Sequence, residues 1–308
     1  MKNRYYCLTL PSTSFPTMAP KNNGEAKDIK AAMAGYIAGA LKLLAMQPVP
    51  DDPSIHDVRV LMKKHRAAVR LVKPLLEEDV FRREYLAGRE TGRLLASWRE
   101  TAVLRRTAKS LKKDNPELFV RLHDNEKIQS LLRKHYSTWE KAGEQAKTIK
   151  EVTERLNKTG YRLRFLGLRA PDMQLLLSEL EGTYRLTAST YLSCRNKPTA
   201  RNLHEFRKKS KTFMYQLAFF RHFAPQPVRQ LEKRLAGMTQ NLGKYNDLAQ
   251  IMSLMGFHYG AAENSDADNE LAIVIKDRQD KYLLRVWPTA YRIFAPGKKL
   301  QDLLGISF

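Results

Sequence analysis

Basic side chains and a histidine recur at helical spacing in two segments of the sequence. Residues 55–66 read Ile-His-Asp-Val-Arg-Val-Leu-Met-Lys-Lys-His-Arg, and residues 203–214 read Leu-His-Glu-Phe-Arg-Lys-Lys-Ser-Lys-Thr-Phe-Met. Both contain an apolar residue followed by His, an acid, an apolar residue, Arg and, four residues after the Arg, Lys. Guanidinium and ammonium groups bind phosphate, and a neutral imidazole can donate a hydrogen bond to it. The pattern predicts two anion-binding segments.

Each segment separates its charged residues from its apolar residues when it is placed on an α-helix. At about 100° per residue, the first segment has a basic arc of roughly 80°. His65 falls among the apolar residues on the other side, so we expect it to be a core histidine. The anion-binding arcs comprise His56, Arg59, Lys63, Arg66 and Arg70 in the first segment, and His204, Arg207, Lys208, Lys211 and Tyr215 in the second.

A row of like charges on one helix face is unfavourable, by a few tenths of a kcal/mol per neighbouring pair in water. A solvated basic face would explain a single row, but the duplication favours a shared function. His56 and His204 are 148 residues apart, and a second similarity, between residues 98–104 and 245–251, has a spacing of 147. The sequence therefore predicts two related repeats, at about 27–160 and 161–305.

Long amphipathic helices must hold these rows, and the sequence predicts such helices from about residue 28 onward. Pro48, Pro50 and Pro53 end the first helix, and Ser54 is a suitable N-cap for the motif helix that runs to about residue 72. Strand alternation is absent, so we expect an all-α fold. Further helices are predicted at about 80–111, 116–135, 138–160, 171–194, 200–222, 226–256 and 270–294.

The charge balance indicates the class of partner. The chain has 308 residues with 54 Lys and Arg against 32 Asp and Glu, which gives a net charge of +22. A hydrophobic fraction of 43% is sufficient for a packed core and excludes wholesale disorder, a collagen and a disulfide scaffold. Such an excess of positive charge predicts a polyanionic partner: nucleic acid, an acidic membrane surface or another phosphate polymer. Residues 260–270 are acidic and predict a solvated loop.

The remaining composition bears on domain limits and on compartment. Residues 1–26 predict a disordered tail, because their apolar stretch is short and is broken by Pro11 and Pro16. No apolar run approaches the roughly 18–20 residues that a membrane-spanning helix needs. Cys7 and Cys194 are too few and too far apart for a disulfide framework, which predicts a reducing compartment such as the cytoplasm.

The duplicated His-acid-x-Arg-x-x-x-Lys helices, each followed some 40 residues later by a second short motif, resemble the CHAD domain, the conserved histidine α-helical domain. The resemblance covers residues 27–305. It implies two pseudo-symmetric four-helix bundles in one compact unit, with basic helices that line a central channel or groove. It further implies non-enzymatic binding of inorganic polyphosphate without a cofactor, and association of some members with polyphosphate granules.

Carried onto this sequence, the resemblance adds Lys64 to the anion-binding residues of the first repeat. The second repeat has Met214 where the first has Arg66, so its grip on an anion is expected to be weaker. Arg185, on the helix before the second motif, is either a further donor or an ordinary surface arginine. Glu100 and Asp247 are expected to orient basic side chains or cap helices. No Glu-x-Glu-x-Lys triphosphatase signature occurs, which predicts a stand-alone binding module.

Two other functions compete with this reading. Nucleic-acid binding suits the charge, but the sequence has no zinc-finger spacing or RNA-binding aromatic signature, and Tyr215 is the lone candidate for base stacking, although a core position is favoured for it. A metal-dependent phosphohydrolase could use the His-Asp pairs at residues 56–57 and 123–124. Because Arg59, Lys63 and Arg66 share the face of His56, they would repel a metal ion, and we expect no enzyme activity. The oligomeric state is open.

Overall fold

The computed structural model describes residues 24–46, 50–132, 142–169, 173–256 and 265–306. Every regular element within these ranges is a helix, which confirms the predicted all-α fold. None of the described helices combines the length and the low charge that a bilayer-spanning segment requires. The α-helices are α1 (Gly24–Ala45), α2 (Asp52–Leu71), α3 (Glu78–Leu94), α4 (Ala96–Asp114), α5 (Pro116–Arg121), α6 (Glu126–Leu132), α7 (Ala142–Arg164), α8 (Met173–Asn196), α9 (Ala200–Leu217), α10 (Pro225–Met255), α11 (Asp266–Phe294) and α12 (Leu300–Leu304).

Eight of the described helices form two groups by their contacts. Helices α1, α2, α3 and α7 contact one another, and α8 contacts α9 and α11 while α10 packs between α9 and α11. One apolar core extends through both groups, from Ile29 to Ile306. A symmetric relation between the groups stays a prediction. Of the predicted N-terminal tail, residues 1–23 and with them Cys7 lie outside the described residues, and α1 begins at Gly24.

The two motif helices begin in the same way. The carboxylate of Asp51 caps α2 by accepting a hydrogen bond from the Ser54 backbone at 2.8 Å, so the N-cap is Asp51 and not Ser54 as predicted. Thr199 caps α9 by accepting from the Asn202 backbone at 3.2 Å. Each helix therefore starts four residues before its motif histidine. The caps fix where each basic row begins along its helix.

Helices α2 and α9 pack directly against each other, which joins the two groups. The side-chain amide of Gln216 on α9 donates to the backbone carbonyl of Ala67 on α2 at 3.2 Å, in the buried part of this contact. His65 is completely buried, as predicted for a core histidine. Burial lowers the pKa of His65 to about 4, against the opposing effect of nearby Glu84, so the ring is neutral at pH 7.

The predicted single helix at 80–111 is divided into α3 and α4 at Leu95, which is completely buried. The break lets α4 leave the first group of helices. Together with α5 and α6, α4 packs against α10 and α11 around a second core that includes Leu111, Phe119 and Ile251. The second group of helices thus receives part of its packing surface from residues of the predicted first repeat.

The acidic stretch predicted to be a loop is partly helical. Residues 257–264 lie outside the described residues, but α11 already begins at Asp266. Ser265 and Asp268 form a capping box at its N-terminus, and Asp268 also accepts a hydrogen bond from Asn125 at 2.8 Å. The carboxylates of Asp266 and Asp268 lie in the first turn of α11, where they stabilise the positive end of the helix dipole. This position explains the acidic composition better than a solvated loop does.

Candidate anion-binding site

A cavity of about 390 Å³ lies between α2 and α9, the helices that carry the repeated motif. Eight Lys and Arg side chains and two Glu side chains line it, so its electrostatic potential is positive. The two basic rows therefore face one shared space and not opposite outer surfaces. The basic residues that line the cavity are Arg59, Lys63, Arg66 and Arg70 from α2 and His204, Arg207, Lys208, Lys209 and Lys211 from α9.

Lys63 lies where the two rows meet. Its side chain lines the cavity and is exposed to the solvent there, with protein atoms of both helices around it. Partial desolvation by these atoms lowers the pKa of Lys63 to about 8, with further contributions from the positive charges of Arg207 and Lys211 on α9 and of Arg59 and Arg66 on α2. The free site thus holds its central ammonium in an environment that disfavours the charge.

Two arginines are fixed by the backbone. Arg59 donates through Nη1 to the carbonyl oxygen of Gly92 at 2.8 Å, and Arg207 donates through Nε to the carbonyl oxygen of Thr239 at 3.2 Å. Burial lowers the pKa of Arg207, against the opposing charge of Asp247. These bonds hold both side chains in place before a ligand binds.

Tyr85, on α3, supports two further arginines of the row. Its hydroxyl oxygen accepts hydrogen bonds from Nη2 of Arg66 at 3.0 Å and from Nη2 of Arg70 at 3.3 Å. The guanidinium carbons of these arginines lie 5.0 and 5.4 Å from the centre of the Tyr85 ring, which adds a cation–π attraction. On α9, the ring of Tyr215 supports Lys211 in a similar manner, with the ammonium 5.5 Å from the ring centre.

The motif histidine of α9 is oriented by α10. His204 Nδ1 lies 3.1 Å from the side-chain oxygen of Asn246, so Nδ1 carries the hydrogen in this contact. Burial and the charge of Lys208 lower the pKa of His204, although its bond to Asn246 opposes the shift. Asn246 belongs to the second short motif, residues 245–251, and it positions His204 of the first motif. This contact explains why the two motifs lie some 40 residues apart.

A comparison with known protein families matches residues 36–255 to the CHAD domain. The chain belongs to the CHAD domain family. The match extends from α1 to the end of α10 and includes both motif helices, which confirms the resemblance deduced from the sequence. A search of curated proteins gives no match.

Nine of the twelve anion-binding residues predicted for this CHAD domain line the cavity, and three do not. His56 is half-buried in the second turn of α2, outside the cavity lining. Lys64 also lies outside the lining, but its charge contributes to a lowered pKa of Lys211. Arg185 is placed elsewhere: it pairs with Glu181 at 2.8 Å and lines a different cavity, of about 840 Å³. The structure therefore favours the surface-arginine alternative for Arg185.

Sequence reasoning missed several residues of the CHAD domain cavity. Lys209 lines it and could have been found as part of the basic run of the second motif. Tyr85 lies outside both motifs, and only the packing of α3 on α2 brings it to the site. Glu100, which the sequence did single out, also lines the cavity, and its role in orienting basic side chains stays a prediction. Met214, the departure noted in the second motif, packs against the apolar core.

Metal-binding residues do not cluster in the described part of the chain: nowhere in it do three His, Cys, Asp or Glu side chains come together as a possible metal site. The His-Asp pair at His123 is exposed in the connection between α5 and α6, with Nε2 3.0 Å from the carboxylate of Asp124. His56 has Arg59 and Lys63 as neighbours one and two turns along its helix. The absence of enzyme activity stays a prediction for this CHAD domain.

Proposed function

We propose that this CHAD domain protein binds inorganic polyphosphate, without chemical conversion, in the cavity between α2 and α9. The observation that supports this proposal is the cavity itself, in which eight Lys and Arg side chains from both motif helices line one space. Desolvation and four of these cations disfavour the charge of Lys63 there. A bound polyanion would reverse this repulsion. The positive charges of the site are therefore not balanced until an anion with several charges in a row binds.

The lining of the cavity favours a phosphate chain without bases. Single-stranded nucleic acids gain much of their affinity from bases that stack on exposed aromatic rings. The two tyrosines of the cavity are engaged otherwise, because Tyr85 supports Arg66 and Arg70 while the half-buried Tyr215 lies against Lys211. Most of the remaining lining is cationic. A linear polyphosphate offers a charge on every unit and has no bases for the cavity to accommodate.

Affinity for such a chain would come largely from the release of counterions and would fall with rising salt. The arginines can each present two N–H groups to one phosphate, whereas the lysines act as movable point charges. Because Arg59 and Arg207 are already held by backbone carbonyls, binding costs them little side-chain entropy. The net charge of +22 would in addition attract polyanions over a distance.

The experiment is a competition between polyanions on the full chain. Long-chain polyphosphate is expected to displace both single- and double-stranded DNA at equal phosphate concentration. Weaker binding of polyphosphate than of DNA would contradict the proposal and favour nucleic acid as the partner. The double variant Arg59→Gln, Arg207→Gln should lower the affinity for polyphosphate by about 100-fold or more, since each lost charge-assisted hydrogen bond is worth roughly 1.5–3 kcal/mol.

The matched control is the double variant Arg229→Gln, Arg234→Gln. These arginines are exposed on α10 and line neither this cavity nor the neighbouring one between α2 and α3, and their replacement removes the same net charge. The control variant should keep its affinity within about threefold, because long-range attraction is largely screened at physiological salt. Equal losses in the two double variants would mean that total charge, and not the cavity, determines binding.

A further inference from the structure

A second basic cavity lies on the other side of the α2 row, between α2 and α3. Its volume is about 220 Å³. Three of its lining side chains, Arg59, Lys63 and Arg66, also line the first cavity, so the two spaces adjoin at this row. Arg89 and Arg93 of α3 complete the positive lining, and no acidic residue of the described chain lines it. Neither arginine belongs to the repeated motif.

Glycines on α3 allow the arginines of α2 to lie at this boundary. A Cβ atom at Gly88 would lie 3.0 Å from Cγ of Arg66 and 3.0 Å from Cδ2 of His65, a spacing too close for ordinary packing. One turn later, the carbonyl of Gly92 accepts the hydrogen bond from Arg59. The α3 surface is thus shaped around the α2 row, and Arg66 and Arg59 are accessible from both sides of it.

The charges of Arg89 and Arg93 are only weakly neutralised. Glu90 lies 3.0 Å from Nε of Arg93 and 4.0 Å from Nε of Arg89. Both arginines are mostly exposed, at 59% and 75% of the side chain, and ion pairs in such positions contribute about 0–1 kcal/mol. A phosphate can therefore replace Glu90 as the partner of either guanidinium at little cost.

The geometry points to a second phosphate subsite in this cavity, so that one polyphosphate chain crosses the α2 row and occupies both cavities. This inference rests on the proposed function and extends it. Lys63 and Arg66, which line both spaces, would contact phosphates of the chain on either side. Arg89 and Arg93 would contact the units beyond the row. Affinity should consequently depend on chain length, because only a long chain reaches the second set of arginines.

The test compares tripolyphosphate with long-chain polyphosphate on the full-length protein. The double variant Arg89→Gln, Arg93→Gln should lose about tenfold in affinity for the long chain at physiological salt. Its slope of log affinity against log salt should become shallower by about 1.4, since each phosphate contact on a flexible strand contributes roughly 0.7. Tripolyphosphate, which fits within the first cavity, should bind the variant within about twofold of the unaltered protein. The variant Arg229→Gln, Arg234→Gln again controls for net charge.

Two results would overturn the second subsite. One is an unchanged affinity for the long chain, equal to that of the control variant. The other is an equal loss of affinity for tripolyphosphate and for the long chain, which would mean that Arg89 and Arg93 affect binding in the first cavity. Failure of the proposed function itself would look different: the variant Arg59→Gln, Arg207→Gln would then retain its affinity for both ligands.

Discussion

Arg59 and Arg207 make the same contact in the two halves of the chain. Each donates to a backbone carbonyl on the α-helix that follows its motif helix: Arg59 to Gly92 on α3, and Arg207 to Thr239 on α10. The two arginines are 148 residues apart, and the two carbonyls are 147 residues apart. This correspondence favours the predicted duplication at the level of individual hydrogen bonds. It also means that both rows carry an arginine anchored in advance at the equivalent place.

Polyphosphate affinity should fall between pH 7 and pH 9. With a pKa of about 8, the fraction of Lys63 that is charged falls from about 90% to about 10% over this range. A bound phosphate favours the charged form, so binding above pH 8 takes up a proton and weakens by up to about tenfold. Isothermal titration calorimetry in buffers of different ionisation enthalpy would measure this proton uptake.

The variant Lys63→Arg provides the control for this pH dependence. An arginine stays charged throughout the range, so the variant should bind polyphosphate with little change between pH 7 and pH 9. Lys211 faces Lys63 from α9 and has a lowered pKa as well, which leaves a smaller residual dependence. If the unaltered protein and the variant weakened equally as pH rises, the effect would not arise from Lys63.

Lys63→Met should stabilise the free protein while it weakens binding. The pKa of Lys63 lies below its ordinary value of 10.5, so the charged form is unfavourable in the folded state below pH 8. For this group alone, stability rises with pH from about 8 to 10.5, where only the unfolded chain binds the proton. Methionine keeps most of the side-chain volume without the charge. We expect a rise of about 2 °C in Tm at pH 7.

The comparison that tests this trade-off is thermal unfolding with and without long-chain polyphosphate. Addition of the ligand should raise the Tm of the unaltered protein more than that of Lys63→Met, because the stabilisation by a ligand grows with the logarithm of its affinity. The advantage of the variant without ligand should shrink as pH approaches 10. A lower Tm for ligand-free Lys63→Met than for the unaltered protein at pH 7 would contradict the interpretation that charge repulsion destabilises the ligand-free site.

Gly243→Ala should weaken binding without lowering stability. A Cβ atom at this position of α10 would lie 3.1 Å from Nη2 and 3.2 Å from Nε of Arg207, so the guanidinium must move away from its place in the cavity. The shift needed is a few tenths of an ångström, which is enough to disturb the hydrogen bond from Arg207 to Thr239. Alanine is favoured over glycine in a helix by up to about 1 kcal/mol, which offsets the cost of the shift. We expect about a tenfold loss of polyphosphate affinity with Tm unchanged or raised.

Gly237→Ala, on the same helix, is the matched control. A Cβ atom there would meet no heavy atom within 4 Å, so the variant gains helix stability and leaves Arg207 in place. Its affinity for polyphosphate should equal that of the unaltered protein. Equal affinities of the two glycine variants would show that the position of Arg207 is unimportant for binding.

Glu84→Gln should destabilise the fold by about 3 kcal/mol. The buried carboxylate of Glu84 on α3 accepts hydrogen bonds from Arg162 on α7 at 2.7 and 3.0 Å and from Arg83 at 2.9 Å. Burial would raise the pKa of Glu84, but these arginines lower it overall. The stabilisation is therefore present above the ordinary pKa of 4.5 and is lost as pH falls below it.

Urea unfolding at pH 7 would measure this loss, with Glu151→Gln as the control. Glu151 pairs with Arg155 one turn away on α7, and both side chains are about half-exposed. Such an exposed pair contributes roughly 0.5 kcal/mol. A similar change in the two variants would mean that the ion pair between α3 and α7 is no stronger than one on the surface.

The sequence alone determined the helices and their faces. The 3.6-residue periodicity of apolar side chains identified the all-α fold, and the same periodicity placed His65 in the core and nine site residues on the faces that line the cavity. Pro48, Pro50 and Pro53 located the break between α1 and α2, because such signals act within a few residues. The break at Leu95 carries no glycine or proline and was missed.

Only the tertiary structure decided which of these faces meet. The packing of α2 on α9 brings both basic rows to one cavity, and the same packing places Arg185 elsewhere. Tyr85, Arg89 and Arg93 join the site because α3 lies against α2. Glycines of α3 leave room for the arginines of α2 at this contact. Periodicity gives the direction of a side chain on its own helix. The neighbour it meets depends on how side chains distant in sequence fill a common core, which no local pattern encodes.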